Sequence, residues 1–105
     1  MSDERARLIR EQRNSLLSNL QTIYPGSLAG EDMFRVMLGW FPDYTRTFCF
    51  RDLYYLEEKG YVVRKGPDGR IDAKKRTDWK EARWTLTAAG NEVANNLIDD
   101  PALEV

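Results

Sequence analysis

Apolar positions along this chain switch between two periods, and the switches divide it into elements. From residue 3 to about 24, Ile9, Leu16, Leu20 and Ile23 recur at helical spacing, with Leu17 and Tyr24 widening the stripe. Ser2 or Asp3 can cap this first helix, and Asp3 and Glu4 suit the positive end of its dipole. Pro25-Gly26 stops it. A second helix is predicted over about 28–39, with Met33, Phe34, Met37 and Leu38 on one face and Gly39 at its end. The aromatic turn Trp40-Phe41-Pro42-Asp43 follows and is expected to plug a helix corner. The third helix spans about 44–59, capped by Asp43 or Thr45. Cys49, Leu53 and Leu56 point inward and Phe50 borders that stripe, while Arg46, Thr47, Arg51, Tyr54, Tyr55 and Glu58 lie opposite. Gly60 suits the left-handed residue that closes a helix.

Beyond Gly60 the period shortens. Tyr61-Val62-Val63-Arg64 reads as a strand, Gly66-Pro67-Asp68-Gly69 as a turn and 70–73 as a short return strand. Residues 74–82 form a polar loop carrying Trp79, and Arg83-Trp84-Thr85-Leu86 closes the sheet. Thr87 caps a last helix over about 88–98, with Ala89, Val93 and Leu97 inward. Residues 99–105 are expected to be a flexible acidic tail. The order predicts an α+β, mostly α chain in which a helix and a hairpin face the same way. Residues 1–98 form one domain.

Composition narrows the function classes. The chain has 105 residues, 42% apolar and 31% charged, as expected of an ordinary globular protein. No apolar run reaches bilayer length and the N-terminus lacks a signal-peptide core, so cytoplasmic residence without membrane contact is expected. With one cysteine and no histidine, an intrachain disulfide and His-based catalysis are excluded. Cys49 reads as a small buried side chain. The pairs Glu31-Asp32, Glu57-Glu58 and Asp99-Asp100 do not converge on a helix. No phosphate loop or activated nucleophile is recognisable, so no enzyme, metal or cofactor is expected.

Net charge is −1, which counts against bulk attraction to nucleic acid. The charge is uneven, however. Residues 64–83 hold Arg64, Lys65, Arg70, Lys74, Lys75, Arg76, Lys80 and Arg83 against Asp68, Asp72, Asp78 and Glu81, a net of about +4. Alone, such a run fits a loop kept soluble by charge, but beside the third helix and facing the same way it makes double-stranded DNA the leading partner. Arg46 and Arg51 are candidates for guanine edges or phosphates, and Thr45, Thr47 and Tyr54 for phosphate oxygens. Arg64 leads into the hairpin, and Arg70, Lys74, Lys75 and Arg76 sit on or near its tip. The acidic balance and the aromatic third helix suit the alternative, protein–protein assembly without DNA. Exposed Tyr54, Tyr55 and Trp79 in one patch would favour it.

The segment Leu53-x-x-Leu56-Glu57-Glu58-Lys59-Gly60-Tyr61-Val62 resembles the end of the recognition helix and the first wing strand of bacterial and phage winged helix-turn-helix proteins. Trp84-Thr85-Leu86-Thr87-Ala88-Ala89-Gly90 resembles their second wing strand and the start of the helix that follows. Regulators of the multiple-antibiotic-resistance and phenolic-acid-repressor types end this way, and size and layout are similar to small winged-helix proteins of Mu-like prophages. The resemblance implies a three-helix core, a two- or three-stranded wing over about 61–86, a recognition helix over about 44–59 and a C-terminal helix. It also implies DNA binding, in transcription regulation or a phage DNA transaction, by a homodimer formed through the first and last helices.

Overall fold

The computed structural model describes residues 3–95. Among these the order is α1 (Asp3–Ile23), β1 (Leu28–Ala29), α2 (Gly30–Trp40), α3 (Arg46–Glu58), β2 (Val62–Lys65), β3 (Arg83–Leu86) and α4 (Ala88–Ala94). The fold is α+β and mostly helical, with one three-stranded antiparallel sheet of order β1-β3-β2. The register pairs Val62 with Leu86 and Arg64 with Trp84 on one side of β3, and Leu28 with Trp84 on the other. No helix among the described residues is long and apolar enough to cross a membrane.

Each element forms for local reasons that the core then exploits. Thr45 caps α3, its Oγ1 accepting from the Phe48 N–H at 3.1 Å, and Thr87 does the same for α4 through Gly90. Gly60 ends α3 at φ +77°, a conformation that costs a residue bearing Cβ. Leu16, Leu17 and Leu20 from α1 meet Met33 and Met37 from α2, Leu53 and Leu56 from α3, and Val62 and Trp84 from the sheet, all fully buried. At ~25 cal/mol per Å² of apolar surface removed from water, this cluster is the main favourable term in folding.

Several expectations fail at positions where tertiary contacts outweigh local pattern. Ile23 and Tyr24 end up exposed, because the buried stripe of α1 starts at Gln12 and ends at Leu20. Residues 28–29 pair with β3 instead of opening α2, and Gly39 lies inside α2, which runs to Trp40. Trp40 does not plug the corner. It is 71% exposed, and Tyr44, with Phe41 half-buried beside it, fills that place. The short return strand at 70–73 reduces to one bridge, Lys65 to Ile71. In α4, Ala89 faces outward and Gly90 and Val93 face in. Leu97 and the tail at 99–105 lie outside the described residues.

A buried polar cluster ties α1 to α3. Asp52 is fully buried, on the same stripe as Cys49 and Leu56. Its carboxylate accepts from the Tyr44 hydroxyl at 2.8 Å, from Arg51 Nε at 2.8 Å and Nη2 at 3.0 Å, and from Arg13 Nε at 3.2 Å. Burial, with Asp52 alongside, pushes the Tyr44 phenol far above its ordinary range. No buried side-chain nitrogen or oxygen among the described residues lacks a hydrogen bond.

Candidate nucleic-acid interface

The arginines of α3 and β2 are largely committed within the molecule. Arg46 donates from Nε to Glu31 Oε1 at 2.9 Å, and its guanidinium lies 4.5 Å from the Phe34 ring centroid. It remains 56% exposed. The hydrogen bond from Arg46 lowers the Glu31 carboxyl, and the same bond raises Arg46. Arg51 forks onto Asp52 and also donates to Gln12 Oε1 at 2.8 Å. The buried carboxylate one residue away draws its guanidinium down against α1, leaving the side chain 28% exposed.

Arg64 departs furthest from expectation. Placed by sequence on the DNA-facing set, it is 4% exposed. Its guanidinium makes two 2.9 Å bonds to the Glu57 carboxylate, one of 2.8 Å to the Thr77 carbonyl, and lies 4.8 Å from the Trp84 ring. The alternation of β2 turns Val62 and Arg64 inward together. Arg64 thereby pins the root of the 66–82 loop to α3.

The loop itself is built by backbone bonds. Asp72 N–H donates to Arg64 O at 2.9 Å and Gly66 N–H to Arg70 O at 3.0 Å. The Asp72 carboxylate accepts from Thr77 N–H at 2.6 Å, which lowers its pKa. Lys75 turns the chain at φ +56°, and its Nζ lies 4.5 Å from the Tyr54 ring centroid and 3.9 Å from Glu57. Arg70, Lys74 and Arg76 are exposed and form no ion pair among the described residues. Ile71 on the same loop is 60% exposed.

The outward face of α3 is aromatic. Thr47, Phe50 and Tyr54 line up at spacings of three and four, all exposed. The Phe50 and Tyr54 rings are 5.8 Å apart, and Trp79 from the loop stands 6.3 Å from Phe50. Trp79 is half-buried, its carbonyl accepting from Trp84 Nε1 at 2.9 Å. Tyr55 is not part of this strip, because it turns toward α1 and stacks under Arg13 at 3.8 Å.

Of the ten residues singled out by sequence, Arg70, Lys74 and Arg76 share the exposed loop, and Lys75 ties that loop to Tyr54 on α3. Thr47 stands on the outward face of α3 beside the Thr45 cap, Arg46 is held at the edge by Glu31, and Arg51 and Arg64 are drawn into the fold. Sequence reasoning missed Phe50 as an outward residue and Asp52 as a buried one. Spacing carries a signal for both, since Phe50 lies between Thr47 and Tyr54 on one helical face and Asp52 between Cys49 and Leu56 on the other. Comparisons with family models, with curated proteins and with solved structures return no match.

Proposed function

We propose that the protein is a winged-helix DNA-binding module whose contact with the duplex is led by the loop more than by α3. Three features support the winged-helix reading: the order α1-β1-α2-α3-β2-β3, the β1-β3-β2 sheet, and a long excursion between β2 and β3. The single observation that carries DNA binding is the set Arg70, Lys74 and Arg76, exposed and without an ion-pair partner among the described residues, on a loop that packs through Trp79 and Lys75 against the outward face of α3. Cations without an internal carboxylate partner are free to replace counterions on phosphates.

Each phosphate neutralised contributes a slope of about −0.9 in log K against log salt, so three give about −2.7. Raising salt from about 50 to about 200 mM should then weaken binding about 40-fold through this loop alone. Fluorescence anisotropy with a short duplex measures this, and Arg70→Glu, Lys74→Glu and Arg76→Glu together should abolish binding. Absence of binding by the wild type at low salt refutes the proposal.

The second reading, a scaffold for protein assembly, is favoured by the Phe50–Tyr54–Trp79 strip and by the neutralisation of Arg46, Arg51 and Arg64. Under that reading the triple loop reversal leaves partner binding intact and Phe50→Ala removes it. A homodimer through the first and last helices belongs to the same proposal. Leu8 on α1 and Trp40, 44% and 71% exposed, are apolar surface such a contact would cover, and sedimentation equilibrium tests it.

A further inference from the structure

An intact duplex gives an aromatic side chain little to stack on, because its bases stack on each other and offer only their edges in the grooves. The strip on α3 is therefore poorly matched to a closed groove. Phe50 is 42% and Tyr54 39% exposed. Between α3 and the loop lies an open groove of about 280 Å³, lined by Arg46, Thr47, Phe50, Trp79 and Lys80. Two of its five lining residues, Phe50 and Trp79, are aromatic. Exposed Lys80 and Arg46, the latter shared with Glu31, also line it, and Lys75 Nζ lies 4.5 Å from the neighbouring Tyr54 ring centroid. Aromatic faces bordered by cations suit a ligand with a π-face and a phosphate on each unit.

Resting on the DNA reading above, we infer that this groove receives unpaired bases of single-stranded DNA continuing from a duplex held by the 66–82 loop. The preferred ligand is then a duplex with a single-stranded overhang. The duplex phosphates lie against Arg70, Lys74 and Arg76, and the first unpaired bases stack on Phe50 and Trp79.

The test compares a blunt duplex of about 12 base pairs with the same duplex bearing an overhang of about six thymidines, a length within the usual range of single-strand sites. Stacking of one base predicts about 5-fold to about 150-fold tighter binding of the overhang substrate. Phe50 is on the surface, so Phe50→Ala leaves the fold intact, which circular dichroism verifies. It should erase the overhang preference while blunt-duplex affinity is retained, and Phe50→Tyr should restore it. In a Trp40→Phe background, with Trp84 fully buried, quenching of Trp79 fluorescence should accompany overhang binding alone.

Equal affinity for the two substrates, or a preference that survives Phe50→Ala, overturns the inference and leaves the duplex proposal standing. Overhang binding without any blunt-duplex binding sustains the stacking site and rejects the loop-led duplex contact. Tighter binding of a ribonucleotide overhang overturns the assignment to DNA, and failure of both substrates to bind at low salt overturns both readings.

Discussion

Replacing Asp52 tests how far the interior depends on one carboxylate. Four donor atoms from Tyr44, Arg51 and Arg13 converge on its two oxygens within 3.2 Å, and it is fully buried. Asp52→Ala leaves those groups without their acceptor. Removing one partner of a buried ion pair costs about 3–5 kcal/mol, chiefly because the other charge is stranded. Arg51 and Arg13 retain 28% and 15% side-chain exposure and can recover some hydration, so the low end, about 3 kcal/mol, is expected. Asp52→Asn keeps an acceptor for Tyr44 but loses the charge-assisted fork to Arg51, a loss of about 1.5–3 kcal/mol. For a domain of this size, about 3 kcal/mol corresponds to a fall in Tm of roughly 12–24 °C. Urea unfolding followed by circular dichroism gives the free energies. Arg51→Ala in the Asp52→Ala background should add much less than it does alone, a coupling of about 0.5–3 kcal/mol. Loss of less than about 1 kcal/mol in Asp52→Ala, or strict additivity with Arg51→Ala, refutes the view that this cluster locks α1 to α3.

Two further outcomes follow from close contacts and burial. A Cβ at Gly30 would stand 1.9 Å from the Trp79 carbonyl oxygen, so Gly30→Ala must part β1–α2 from the loop and strain the bonds Gly30 N–H to Ala82 O and Glu31 N–H to Lys80 O. A destabilisation of at least about 2 kcal/mol in denaturant titration is expected, and a neutral result contradicts the packing. Burial, with Asp52 alongside, pushes the Cys49 thiol up to about 12, so at pH 8 the thiolate fraction is on the order of 10⁻⁴. Labelling with a disulfide reagent should proceed only as fast as the protein opens, and rapid labelling of the folded protein contradicts that burial.

Much of the fold was legible because most elements carry their own signals. The Thr45 and Thr87 caps, Gly60 and the alternation of 83–86 are local, and local rules placed them. The misplacements are tertiary. Nothing in Leu28-Ala29 announces a strand, since only pairing with Trp84 and Arg83 makes it one. The 70–73 segment has strand-like residues but only one partner, Lys65. The site was harder to read, because a helical wheel assigns faces without showing which carboxylates wait beneath them. Arg51 and Arg64 look like surface cations until Asp52 and Glu57 are placed beside them, and Phe50 looks like core until Trp79 is seen to arrive from the loop. The cations that stayed outside, Arg70, Lys74 and Arg76, form no ion pair among the described residues, whereas Lys75 between them reaches Glu57.

The most direct test of where a partner sits is an amide chemical-shift titration of the ¹⁵N-labelled protein with a short blunt duplex at low salt. The account predicts perturbations concentrated at residues 66–77, with Phe50, Trp79 and α1 unmoved. Perturbations confined to α1 and α4, or none at all, contradict it.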